Sequence, residues 1–348
     1  MRSVYRALLP CAAVLTATLT TGCTAPAATH AAPTAPAVVT MPAAPPLTSG
    51  AAAQALYAQW FAPQTTQALQ AAQTLQQATQ AYCQGAAPLA QPRQAFTQAA
   101  QQWERTAAVA MGPQIERRTA RMIDFQPLRL PLLQAALRSA PTDLAGMERI
   151  GAPAKGLPVT EHLLWSAVAA PHSPACDYLQ LVVADTVHEL QQLHRATQAA
   201  AHSTALDFEL NAEFLNQWVG GVERLRWQAM DKPLRSATPS KPAQLSRAPS
   251  GGTVASWQAQ WAGLRALAVG DAQLSIVQLV QARGWQRLAG ELQAAVAEVD
   301  TAMAGITAPH LDAVAPAVHQ LGRLKHLVEN DVALALDVTM GFSDADGD

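Results

Sequence analysis

The sequence predicts an all-α protein built as two antiparallel helical bundles. Three observations carry that expectation. Half of the 348 residues are hydrophobic, yet only 5% are aromatic and 14% charged, and Ala and Gln fill much of the difference. Ala loses no side-chain entropy in a helix and Gln keeps its rotamers on a straight stem, so both favour helices. Apolar residues recur at spacings of three and four over long stretches, which places them on one helical face. No stretch shows the period-two alternation of a half-buried strand.

Residues 1–23 read as an export signal: Arg2 and Arg6 precede an apolar run over 7–19, and small residues lead to Gly22-Cys23. The run is shorter than the roughly 18–20 residues of a membrane span, and nothing later reaches 18 uncharged apolar residues in a row. Gly22-Cys23 also looks like the end of a bacterial lipoprotein signal, which makes Cys23 a lipidated N-terminus. Thr20 stands where such signals favour Leu, so simple cleavage and release is the alternative. Residues 24–47, almost wholly Ala, Pro and Thr, form a tether, because that composition buries no core and favours extended chain; His30 within it has no neighbouring ligand.

The first bundle covers residues 48–205 and the second 206–348. In the first, Leu56, Trp60, Leu69, Leu75 and Tyr82 punctuate Ala/Gln-rich helix, with Pro63 as a break or first-turn residue. A helix over 92–111 ends at Gly112-Pro113, a short one covers 114–123, and Phe125-Gln126-Pro127 turns the chain. Dense Pro and Gly over 127–174 predict short helices and loops, the kind of segment that carries functional side chains. Leu179, Val182, Val183, Val187, Leu190 and Leu193 then form the clearest helical stripe. In the second bundle, Phe214, Trp218, Val222 and Leu225 mark a helix ending near Met230, and Pro- and Ser-rich 232–252 is an irregular crossover. Trp257, Trp261, Leu264 and Leu267 share the next helical face. Residues 272–303 follow with interruptions at Gly284 and Gly290, and Leu311, Val314, Val318, Leu321 and Leu324 form the last stripe.

A net charge of -2 and a pI near 6.5 offer no basic face, so nucleic acid is excluded as a partner. With Cys11 inside the signal and Cys23 assigned to lipid, Cys83 and Cys176 remain in a compartment that permits oxidation, and one disulfide between them is expected.

The stretch with most chemical content is Lys155-Gly156-Leu157-Pro158-Val159-Thr160-Glu161-His162-Leu163-Leu164-Trp165. Before it come Met111-Gly112-Pro113 and Phe125-Gln126-Pro127. After it come Ser250-Gly251-Gly252 and the ending Leu336-Asp337-Val338-Thr339-Met340-Gly341-Phe342-Ser343-Asp344-Ala345-Asp346-Gly347-Asp348. In this order the segments resemble the imelysin-like proteins of bacterial envelopes, over most of the chain beyond the signal. The resemblance implies two helical bundles, export to the periplasm or outer membrane, a link of some members to iron uptake, and an older designation as metallopeptidases. It also implies a binding motif at Gly156, Pro158, Glu161 and His162, and a C-terminal motif at Asp344, Asp346 and Asp348.

The family pattern Gly-x-His-x-x-Glu sets His and Glu on one helical face, where they can share a metal. Pro158 holds the His position here and supplies no ligand, so only Glu161 survives of the pair, and His162 points about 100° away on a regular helix. Proline fits the first turn of a helix, where its missing N–H bonds nothing, so 156–158 is expected to open a short helix. Glu161 is then either a helix-end carboxylate drawn to free backbone amides or a binding carboxylate facing the cleft between bundles.

Other ligand patterns are incomplete. No His-Glu-x-x-His is present: His188-Glu189 meets Gln192 where the second His belongs, and His194 and His202 lie eight apart. His326 and Glu329 have the spacing of bundle di-iron sites, which need a second such pair. Asp344, Asp346 and Asp348 begin like a calcium loop without its twelfth-position glutamate, and read as a solvated tail or as a segment folding back towards the site. The leading expectation is a noncatalytic ligand- or partner-binding protein related to iron uptake, lipid-anchored in the periplasm. Its rivals are a metal-dependent peptidase and a structural envelope module. No catalytic residue is assigned and no cofactor is fixed, iron or another divalent metal being left open. The partner is a small ligand or an envelope protein, and the membrane is reached only through the lipid.

Overall fold

The computed structural model describes residues 49–203, 210–270 and 274–341, and among them the regular elements are helical. The chain enters on α1 (Ser49–Leu56), widens into a π turn at Tyr57–Phe61, and continues as α2 (Ala62–Cys83). Pro63 therefore lies inside a continuous helical rod. The π turn before it loosens the hydrogen-bond ladder where proline supplies no donor. Then follow α3 (Ala90–Ala107), the short α4 (Pro113–Glu116) and α5 (Thr119–Ile123), α6 (Leu130–Ser139) and α7 (Leu144–Glu148). A 3-10 turn at Ala152–Ala154 leads to α8 (Gly156–Glu161), which runs into a second π turn at His162–Ser166. The long α9 (Pro174–His202) starts cleanly because the Ser173 hydroxyl accepts from the Cys176 N–H and Pro174 needs no donor.

Beyond the undescribed 204–209 come α10 (Leu210–Glu223), a π segment at Arg224–Asp231 and α11 (Lys232–Arg235). Residues 236–252 cross over without helix, as their Pro and Ser content predicts. After them stand α12 (Thr253–Val269), α13 (Ile276–Ala282) and α14 (Gln286–Ala304). The chain then runs through α15 (Leu311–Leu327), a π turn at Val328–Val332 and α16 (Ala333–Ala335). The break at Gly284 is present, with φ +84°, whereas α14 passes straight through the exposed Gly290. α3 stops short of the expected 111 because the chain turns into Gly112, whose φ is +43°.

Apolar side chains collect in two clusters. One lies among α2, α3, α8 and α9 and buries Leu75, Phe96, Trp103, Leu164 and Leu179. The other lies among α10 and α12 to α15, and buries Trp218, Trp257, Leu264, Leu292 and Leu321. α1 and the Tyr57–Phe61 turn pack into this second cluster, so the first helical rod joins both. Full burial of one such side chain stabilises by about 1.5–3 kcal/mol. α3 also lies against α12 at a distance only glycine permits, since a Cβ on Gly263 would stand 2.8 Å from the Ala108 Cβ. That contact fixes the end of α3, and with it Glu104.

A disulfide ties α9 to α2, and two polar contacts tie it to the segment that carries the motif. Cys83 and Cys176 form the expected disulfide, Cα to Cα 5.6 Å, tying the end of α2 to the start of α9. Lys155, 3% exposed, pairs with Asp185 at 3.0 Å, and the Tyr178 hydroxyl donates to the Ala154 carbonyl at 2.6 Å. Among the described residues no helix is long and apolar enough to cross a membrane.

Candidate functional site

The site forms where the 243–249 crossover passes the end of α8. Gly156 opens α8 with φ +76°, and a Cβ there would lie 2.8 Å from the Ile123 carbonyl carbon and nearer still to its oxygen. Only glycine meets both demands, the positive φ and the backbone contact. Pro158 is the third residue of α8, within the turn whose N–H groups have no partner in the helix, so proline is accommodated there.

Pro158, Glu161 and His162 line one cavity of about 420 Å³, with Gln126, Leu128 and the 243–249 segment as the opposite wall. Glu161 and His162 both line it although they are adjacent on the helix, which widens to a π turn from His162. The neighbouring Gln126–Pro127 peptide is cis. A second cavity of about 290 Å³, lined by Glu104, Asp124, Arg224 and Gln260, shares Gln126, Gln228 and Ser246 with the first.

Glu161 is 3% exposed, and its Oε1 accepts from the Ser250 backbone N–H at 3.0 Å and the Ser250 hydroxyl at 2.5 Å. Ser250 lies just ahead of α12, so the carboxylate sits near the amino end of that helix, not of its own. Glu161 thus meets a backbone amide ahead of a helix and also lines the cavity.

Arg247, with φ +61° and 2% exposure, sends Nη2 to Glu104 Oε1 at 3.2 Å and to Asp124 Oδ2. Its guanidinium also lies 5.9 Å from the Phe96 ring centre. Burial works against the Arg247 charge, but Asp124 and Glu104 beside it more than offset that and hold its pKa above the ordinary value. Burial pushes the Glu104 carboxyl above its usual range; Arg247 opposes the shift and Asp124 adds to it. Gln260 Nε2 donates to Glu104 Oε2 at 2.7 Å, and Gln126 Nε2 to Asp124 Oδ1 at 3.1 Å. The Nε and Nη1 of Arg247 have no hydrogen-bond partner. Burial lowers the pKa of the half-buried His162, which keeps its imidazole neutral at ordinary pH.

These donors do not fit a divalent cation. Pro158 offers no ligand, Glu161 Oε1 is engaged by Ser250, and Glu104 and Asp124 already surround the Arg247 guanidinium. Among the described residues no three His, Cys, Asp or Glu side chains converge to hold a metal ion. Glu189 instead pairs with Arg117 at 2.7 Å and accepts from Thr119, while His188 lies on the exposed face beside Gln192. His194 meets Thr65 at 3.3 Å, and His202 its own helix at the Gln198 carbonyl. Glu329 pairs with Lys325 at 3.4 Å, and His326 lines an open groove of about 740 Å³ with Arg226 and Arg323. Cys23, His30, Asp344, Asp346 and Asp348 lie outside the described residues.

Sequence reasoning reached Gly156, Pro158, Glu161 and His162, but missed Arg247, Glu104, Asp124 and Gln260, and gave Ser250 no role. The available signal was Arg247, one of two cations in the 236–252 crossover with Lys241 and the one beside Ser250-Gly251-Gly252.

The fold and sequence have relatives. A search of curated proteins gave no match. Among solved structures, an imelysin-like protein from Psychrobacter arcticum 273-4 is 19% identical with a TM-score of 0.71, covering 84% of this chain and 97% of its own. A proposed iron-regulated protein A precursor from Parabacteroides distasonis ATCC 8503 is 13% identical with a TM-score of 0.66, covering 82% of this chain and 96% of its own. At these identities the likeness is one of fold. The sequence itself matches the Imelysin family (Peptidase M75) over residues 53–329, a span that contains α8, the crossover and every side chain of the site described above, and the chain belongs to that family.

Proposed function

We propose that this chain is a noncatalytic binding protein of the cell envelope that holds a small ligand or a partner in the service of iron acquisition. The observation that carries this reading is the state of Glu161: a buried carboxylate in a cavity wall, fixed by Ser250, with Pro158 where the family pattern sets an imidazole. A general base must be free to take a proton and must stand near a nucleophile or metal-bound water. Glu161 is held as a recognition group is held, with its geometry set in advance by a neighbouring loop. The iron setting rests on the family and on the printed name of the Parabacteroides distasonis protein of the same fold. The envelope location, with Cys23 as lipid anchor, rests on residues 1–23.

The test joins a cellular and a chemical measurement. A deletion strain of the native host should take up less radiolabelled iron under iron limitation, and wild-type protein should restore uptake where Glu161→Ala does not. Purified protein should leave peptides intact with or without added zinc or iron. Peptide cleavage abolished by chelators and restored by added ions would contradict the proposal.

A further inference from the structure

We infer that the cavity beside Glu161 takes an ammonium-bearing organic ligand with a nearby carbonyl oxygen, such as an amino-acid amide or the amino terminus of a short peptide. The inference rests on the binding role proposed above and names the chemistry of that same cavity.

Charge balance is the first support. The charged side chains in the cavity wall are Glu161 and Arg247, with His162 neutral. Arg247 is already matched by Glu104 and Asp124 behind it. Glu161 acts on Arg247 through space, after Asp124 and Glu104, but its direct donors are the neutral ones of Ser250 and it has no salt-bridge partner among the described residues. A carboxylate this buried is disfavoured without a counter-ion, and a ligand ammonium would supply one. An anionic ligand would instead stand against Glu161 and be rejected.

Unmet hydrogen bonding is the second support, and it is independent of charge. Arg247 lines this cavity, its side chain is 2% exposed, and its Nε and Nη1 lack partners. Guanidinium N–H groups can only donate, so the group that satisfies them must be an acceptor. A carbonyl oxygen close to the ammonium would supply that acceptor while the ammonium pairs with Glu161. Pro158 and Leu128 supply apolar wall for a short stem, and a volume of about 420 Å³ suits a ligand of a few amino-acid units.

The test is titration of the full chain by calorimetry with glycinamide hydrochloride, acetamide and sodium acetate. Glycinamide should bind saturably with a Kd on the order of millimolar, and the other two at least about tenfold more weakly. Glu161→Gln, which still accepts from Ser250, should reduce glycinamide binding to the level of acetamide. The wild-type panel decides the matter even if that variant does not fold. Acetate or acetamide binding as well as glycinamide would overturn the inference, as would an unaffected Glu161→Gln. Absence of glycinamide binding with Glu161-dependent iron uptake intact would overturn the ammonium assignment alone. Loss of both would overturn the binding role as well.

Discussion

Replacing Gly156 with Ala should destabilise the fold by about 2–4 kcal/mol, and the structure divides that figure into two parts. The first is conformational. At φ +76° an L-residue is disfavoured by roughly 1–2 kcal/mol, less about 0.4–1 kcal/mol regained because Ala has fewer unfolded conformations. The second is steric. The new Cβ would lie 2.8 Å from the Ile123 carbonyl carbon, a backbone atom that cannot swing aside, and overpacking of this kind costs about 1–3 kcal/mol. Gly251 supplies the control, because its φ is +71° and nothing lies within 4 Å of its Cβ position. Gly251→Ala should therefore lose only the conformational part, about 1 kcal/mol. Urea unfolding followed by far-ultraviolet circular dichroism reads both variants against the parent. Equal losses for the two would refute the steric argument and the claim that Ile123 seats α8.

Three further outcomes are expected. Arg247→Met should lose about 3–5 kcal/mol, since Glu104 and Asp124 would remain buried without their shared cation; a loss below about 1 kcal/mol on urea unfolding would contradict the ion-pair assignment. The folded pKa of Glu104 is raised above its ordinary 4.5, so its contribution is fully present below that value and declines as pH rises through the folded pKa. The stability of wild type minus that of Glu104→Gln should accordingly fall from pH 4.5 upwards, and a rise over that window would reverse the assigned shift. Substituting both Cys83 and Cys176 with Ser opens a bridge across a sequence separation of 93 and should cost about 2–5 kcal/mol, while free thiols found by mass spectrometry under nonreducing conditions would remove the bridge itself.

The helices were legible because their signal is local. Leu179, Val182, Val183, Leu190 and Leu193 are buried on α9 as their spacing requires, and the Pro- and Ser-rich crossover forms no helix between α11 and α12. The π turns at Tyr57–Phe61 and His162–Ser166 were not legible, since one widened turn shifts the apolar stripe too little to register as a break. Pro63 takes the first-turn place, one of the two expected of it, beside a π turn, whereas Gly290 was over-read because an exposed helix face tolerates glycine at about 1 kcal/mol. At the site, Glu161 stood out through a contiguous motif. Its partners did not, because Arg247 reaches Glu104 across 143 positions and Asp124 across 123. Contacts of that range leave no periodic trace, and the Asp124 and Glu104 carboxylates look like ordinary helix-surface charges until the crossover is laid over them.

Metal retention tests the central claim most directly. Purified protein stripped with a chelator, reloaded with iron(II) or zinc and desalted should keep far less than one equivalent, and Glu161→Ala should keep the same amount, because Arg247 already stands between Glu104 and Asp124 and Ser250 engages Glu161. One equivalent of metal held by the parent and lost from Glu161→Ala would contradict the account.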